Sequence, residues 1–139
     1  PVMSVRGRVT RVVYPAVGDG VGYGMTWRVP RNNIQVATVP IGYADGLARS
    51  LSNRMDVLTR GDRVRQVGNI CMDQFMIAVD TAGTHANKPA HEIRYGDVVT
   101  LIGKDGDQEI TADEMADLRE TINYEVVCNF GARLDKVYI

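Results

Sequence analysis

Six tyrosines, three lysines, two cysteines and two histidines are the side chains from which acid–base, covalent or metal chemistry could be drawn in this sequence. Two of the tyrosines stand out by context. Val21-Gly-Tyr-Gly24 and Gly42-Tyr-Ala-Asp-Gly46 each hold a phenol beside glycines, a tight backbone that can present the hydroxyl outward. A phenol titrates near ~10, so it serves as a proton carrier only when depressed or closely coupled to neighbours. Taken singly, each segment reads as a turn with an aromatic residue. Ile70-Cys-Met-Asp-Gln74 is less ordinary, because it sets a carboxylate inside an apolar run where a sheet favours valine. The structural reading of Asp73 is a buried turn acceptor for backbone N–H groups.

The other reactive side chains point to less. Cys71 and Cys128 lie far apart with no CxxC spacing, which suggests neither a zinc site nor a disulfide. His85 and His91 fall in a polar, proline-broken stretch without a carboxylate or thiol at ligand spacing, so a solvated loop is expected and no metal. Lys88 shares that stretch, Lys104 sits in Gly103-Lys-Asp-Gly106, and Lys136 is three residues from the end. None follows a strand beside a Gly-rich phosphate-binding segment, so none is placed to hold a cofactor covalently.

Something must position the tyrosine segments, and the pattern around them is of short strands. Val2 to Val13, Asn33 to Ile41, Met55 to Leu58, Arg63 to Val67, Met76 to Val79 and Asp97 to Ile102 are apolar or alternating runs. Turn residues separate them at Val17-Gly-Asp-Gly20, Gly61-Asp62 and Gly103-Lys-Asp-Gly106. This spacing predicts a mainly β fold, a Greek-key-like barrel or sandwich. One or two short helices are expected near the C-terminus. Thr111 and Glu114 have the spacing of a capping box, and Ile122, Val126 and Phe130 would share one face of a second helix. No repeat or linker divides the chain, so residues 1–139 are read as one domain.

With 45% hydrophobic and 24% charged residues the chain can bury a core without staples. A net charge of −1, with both signs mixed along the chain, gives no electrostatic basis for binding nucleic acid or an anionic membrane. No apolar run approaches a membrane span and no signal-peptide pattern opens the sequence, which leads to an expected cytoplasmic location.

The motifs are more specific together than apart. Val-Gly-Tyr-Gly at 21–24, Ile-Gly-Tyr-Ala-Asp-Gly at 41–46, Ser-Asn at 52–53, Ile-Cys-Met-Asp-Gln at 70–74, Gly-Asp-Val-Val-Thr-Leu-Ile-Gly at 96–103 and Thr-Ile-Asn-Tyr-Glu-Val at 121–126 resemble, in order and spacing, the C-terminal domain of bacterial alanine racemases. The resemblance covers essentially the whole chain. It implies a two-domain subunit in which an N-terminal (β/α)8 barrel, absent from this sequence, holds pyridoxal 5'-phosphate on a lysine. This chain alone is then expected to be inactive. The implied reaction interconverts L-alanine and D-alanine for peptidoglycan, with two bases on opposite faces of the α-carbon. By motif match Tyr23 is the second base, Met72 offers its backbone N–H to the substrate carboxylate, and Tyr124 hydrogen-bonds the cofactor phosphate. Tyr43, Arg49 and Ile122 would line a narrow entrance. The implied assembly is a head-to-tail homodimer in which Tyr23, Tyr43 and Met72 complete the partner's site, while Tyr124 serves its own barrel. Two departures stand out: Gly22, where relatives usually carry serine, and Asn69, where many carry arginine. Tyr14, Tyr95 and Tyr138 are given no role.

Overall fold

A computed structural model describes residues 3–82 and 92–138; His85, Lys88 and His91 lie outside them. The strands are β1 (Val5–Arg8), β2 (Arg11–Val13), β3 (Gly20–Val21), β4 (Trp27–Arg28), β5 (Ile34–Val39), β6 (Asp56–Thr59), β7 (Asp62–Val67), β8 (Phe75–Asp80), β9 (Val98–Asp105) and β10 (Gln108–Ile110). Two helices follow, α1 (Ala112–Arg119) and α2 (Asn123–Asn129), and 3-10 turns occur at Tyr23–Met25, Tyr43–Asp45 and Arg49–Leu51. The fold is mainly β with two short C-terminal helices, as the pattern of short runs predicts.

Eight strands form one antiparallel sheet in the order β1-β9-β6-β7-β8-β5-β2, with β10 paired to β9 outside this path, while β3 and β4 make a separate ribbon. The expected barrel is therefore not closed by a ladder. Its two edges, β1 and β2, are instead consecutive in sequence and separated only by Val9 and Thr10. In a flat sheet, six strand spacings of about 4.8 Å would part these edges by roughly 29 Å. Three peptide units reach only about 11 Å, so the sheet must wrap until its edges meet through the chain. The corner is pinned on both sides, by Val9 N–H to Asp97 O at 2.9 Å and Thr10 N–H to Thr38 O at 2.9 Å.

Alternation in Asn33 to Ile41 predicts a strand with one wet face, yet β5 and β8 are buried almost throughout. Both faces are covered. Ala37, Val39, Phe75, Ile77 and Val79 face the main core with Leu101, Ile102 and Met115, while Ile34, Val36, Met76 and Ala78 face a smaller cluster with Val21, Val29 and Val67. Trp27 packs on that second cluster, so the β3–β4 ribbon lies over the outer face of β5 and β8.

The helices differ in detail from expectation. Thr111 Oγ1 accepts from Glu114 N–H at 3.1 Å, the first half of a capping box. The Glu114 carboxylate does not reach back; Arg63 of β7 takes it at 2.8 and 2.7 Å and ties α1 to the sheet. In α2 Val126 is buried, but Ile122 precedes the helix in extended conformation and is exposed, so the expected shared face loses its first member. The turn expected at Gly103–Gly106 is shorter, because β9 runs through Gly103 to Asp105 and only Gly106 and Asp107 connect it to β10.

Candidate active-site surface

Gly42 and Met72 meet backbone to backbone. A Cβ on Gly42 would stand 2.3 Å from Cys71 O and 2.5 Å from the Met72 carbonyl, so only glycine fits. That approach lets Tyr43 N–H donate to Cys71 O at 3.0 Å and Ala44 N–H to Met72 O at 2.9 Å. The turn is completed from within by Asp45, whose Oδ2 accepts from Gly42 N–H at 2.9 Å. Tyr43 and Met72, each about half exposed, thus project from two turns locked to one another through main-chain atoms. Asp73 is not the buried acceptor its apolar neighbours suggest. Residues 72–74 form the exposed bend between Cys71 N–H and Gln74 O, 2.9 Å apart, and the carboxylate is at the surface.

The Tyr23 turn lies on the same side. Val21 fills the second core and Trp27 returns beside it, which fixes the ribbon's base. Gly22 has φ 76° and ψ 175°, a region essentially confined to glycine, and a Cβ there would stand 2.9 Å from Asn69 N. Glycine at position 22 is therefore used by this turn, which presses against the Gly68–Asn69 backbone. An open groove is lined by Gly22, Tyr43, Cys71, Met72, Asp73, Gln74 and Met76. No acceptor among the described residues takes the Met72 N–H, while its carbonyl is occupied by Ala44.

Arg49, Ile122 and Tyr124 are exposed but do not line this groove. Arg49 opens the 3-10 turn that follows Tyr43's, and Tyr124 projects from α2. The segment after α2 is tied to the Tyr43 turn: Gly131 N–H donates to Asp45 O at 3.0 Å and Arg133 Nε lies 3.3 Å from Asp45 Oδ1. Asp45, buried and bonded at both ends, is a site residue that sequence reasoning passed over; the signal was its place near the end of the Gly-Tyr-Ala-Asp-Gly turn that it closes. Among the described residues no group of three or more His, Cys, Asp or Glu side chains could hold a metal. Lys104 lies elsewhere, in a groove with Arg6, Arg8 and Arg60. Tyr14 donates to Glu92 Oε1 at 2.7 Å, and burial together with that bond raises its pKa, which suits a structural phenol.

Comparison with known proteins gives this surface its context. The alanine racemase C-terminal domain family matches residues 2–138. The chain belongs to that family. Alanine racemase of Cutibacterium acnes is 44% identical over 139 residues, covering 100% of this chain and 35% of that protein. Alanine racemase of a Nostoc species is 44% identical over 137 residues, 99% of this chain and 33% of that protein. The chain thus spans about a third of the length of the curated relatives it matches. Among solved structures, alanine racemase from Oenococcus oeni superposes with a TM-score of 0.87 at 31% identity, over 100% of this chain and 35% of that one. Histidine racemase from Leuconostoc mesenteroides subsp. sake gives 0.83 at 31% identity, over 98% and 34%. This C-terminal domain architecture therefore occurs in racemases named for substrates of very different size.

Proposed function

We propose that residues 1–139 form a single domain that serves as the C-terminal part of an alanine racemase and completes an active site whose other wall is an N-terminal barrel. The observation that bears most of this reading is the meeting of the Tyr43 and Met72 turns beside the Tyr23 turn, in a chain that relatives named alanine racemase match at 44% identity over 99–100% of its length.

The chain's donor set fits pyridoxal phosphate as a covering wall and not as its holder. Among the described residues the groove has no lysine, but it has the exposed phenol of Tyr43 and the Met72 N–H, which no described acceptor takes. A relative from Bartonella henselae carries covalently bound pyridoxal phosphate. When bound, that group draws electrons from the α-carbon and makes its proton removable. Tyr23 takes the α-proton on the face of L-alanine, or returns it there, while a barrel lysine works the opposite face. Met72 N–H donates to the substrate carboxylate, a contact independent of the thioether. Tyr124 donates to the cofactor phosphate. Tyr43, Arg49 and Ile122 narrow the entrance to small side chains, and the head-to-tail pairing of two subunits brings Tyr23, Tyr43 and Met72 to the partner's barrel. Tyr43 and Met72, each about half exposed, are what such pairing would cover. The enzyme would act in the cytoplasm, supplying D-alanine for peptidoglycan.

The test is conversion of L-alanine to D-alanine with added pyridoxal phosphate, by this chain alone and by the full-length enzyme containing it. Activity only in the full-length enzyme, lowered at least about 100-fold by Tyr23→Phe, is the expected result, given the usual weight of a general base. Turnover of another amino acid in preference to alanine, or a Tyr23→Phe enzyme as fast as its parent, would overturn the assignment.

A further inference from the structure

The Ser52-Asn53 dipeptide was singled out by its motif, yet the proposed chemistry gives it no task. Its contacts are unusually concentrated. Ser52 Oγ donates to Arg49 O at 2.6 Å and accepts from Ile70 N–H at 2.8 Å. Asn53 stands in the left-handed region at φ 62°, a conformation asparagine tolerates better than most residues. From there its Oδ1 accepts from Gly68 N–H at 2.7 Å and its Nδ2 donates to Thr26 Oγ1 at 3.1 Å. Its own N–H donates to Gln66 Oε1 at 2.7 Å, and fully buried Gln66 in turn donates to Val67 O and Gly68 O at 3.0 and 2.8 Å.

Thr26 closes the turn that begins at Gly22, and Gly68 begins the loop that leads through Asn69 to Met72. One amide therefore spans two of the three segments that contribute to the groove. Among the described residues, Met25 N–H reaches Gly22 O at 3.3 Å and Arg28 Nη2 reaches Met25 Sδ at 3.8 Å, while Gly22, Gly24 and Met25 all have positive φ. A turn made of such conformations is held by its surroundings, since its own backbone does not favour it.

We infer that Asn53 is a positioning residue: its side-chain amide, clamped between Gly68 N–H and Thr26 Oγ1, sets the Tyr23 turn in place against the loop bearing Met72. This rests on the proposed function for what the turn then does, but the mechanical claim is separate from it. Because the equilibrium constant of racemisation is one, kcat/KM cannot fall in a single direction. A displaced Tyr23 instead makes proton transfer on its own face slower relative to the other steps. The primary isotope effect with α-deuterated L-alanine should rise, while that with α-deuterated D-alanine should not.

The experiment uses the full-length enzyme with Asn53→Ala and, as a milder probe of the same bond, Thr26→Val. Hydrogen exchange of Met25 and of the β3–β4 ribbon should quicken about 3- to 10-fold in Thr26→Val, the weight of one ordinary hydrogen bond, and at least as much in Asn53→Ala, which loses two, with β5 and β8 amides at the parent's rate in both. The isotope effect for L-alanine should rise in both. Unchanged exchange at the ribbon, or Thr26→Val loosening β5 and β8 as much as the ribbon, would refute the clamp. An isotope effect raised equally for both enantiomers would also refute it as a positioning device for one face. A parent enzyme that fails to racemise alanine while showing the expected exchange pattern would leave the clamp standing and remove the proposed function.

Discussion

Replacing Asp45 separates what its carboxylate does by hydrogen bonding from what it does by charge. In Asp45→Ala the buried Gly42 N–H loses the acceptor it has at 2.9 Å, and a buried donor left unsatisfied costs about 1–3 kcal/mol. The ion pair with Arg133 is lost too, but that arginine side chain is 55% exposed, which limits the pair to about 0–1 kcal/mol. The expected cost is therefore about 1–4 kcal/mol, a large share of the roughly 5–15 kcal/mol that a domain has. Asp45→Asn keeps an oxygen for Gly42 N–H and loses only the charge, so it should cost under about 1 kcal/mol, as should Arg133→Met. Urea denaturation of the chain reads the three together. With a slope of about 1–3 kcal/mol per molar, Asp45→Ala should lower the midpoint by about 1 M or more, and the other two by much less. Should Asp45→Asn or Arg133→Met prove as damaging as Asp45→Ala, charge and not the Gly42 bond would hold the Tyr43 turn, and the reasoning fails.

Two further outcomes are expected. Val126→Ala removes two buried methyl groups where α2 meets the core and should cost about 1–3 kcal/mol in the same denaturation assay; a negligible change would mean that α2, and with it Tyr124, is not anchored there. Burial pushes the Asp97 carboxyl up, but the Arg60 guanidinium at 2.9 and 3.2 Å and the Arg94 N–H outweigh it and hold its pKa below the ordinary value of 3.8. Its contribution is then complete above the unfolded-state pKa and vanishes as the pH drops through the lower folded one, so Asp97→Asn should flatten the loss of stability below about pH 4. An equally steep acid limb in that variant would count against the pair.

Strand positions were legible because hydrophobic runs and turn residues are local signals: β6, β7, β8 and β9 fall where the apolar runs lie. What was not legible is what lies over each face. The alternation in Asn33 to Ile41 implies a solvated side to β5, and only the return of Val21, Trp27 and Val29 from a distant ribbon shows why that side is dry. The wrapped, ladder-free closure at Val9 and Thr10 is likewise a pairing fact, set by which edges β9 and β5 offer. At the candidate site the motifs include Asp45 and Asn53, but the resemblance implies roles for Tyr23, Tyr43 and Met72 and none for those two. Both act through hydrogen bonds, Asn53 across the fold and Asp45 on its own turn and the tail after α2, and a turn-forming Asp or Asn has the same appearance in sequence whether it closes a surface bend or ties two loops of a groove together.

The interlock between the Tyr43 and Met72 turns uses carbonyls and amides alone, with the two side chains left out of it. Scaffold and contact surface are thereby decoupled. A lineage can exchange the side chains at 43 and 72 without disturbing what fastens the loops, so the exposed surface can be retuned by single substitutions that carry little folding penalty. Gly42 is the opposite case: it is fixed by the interlock itself and should be the position at which such drift stops.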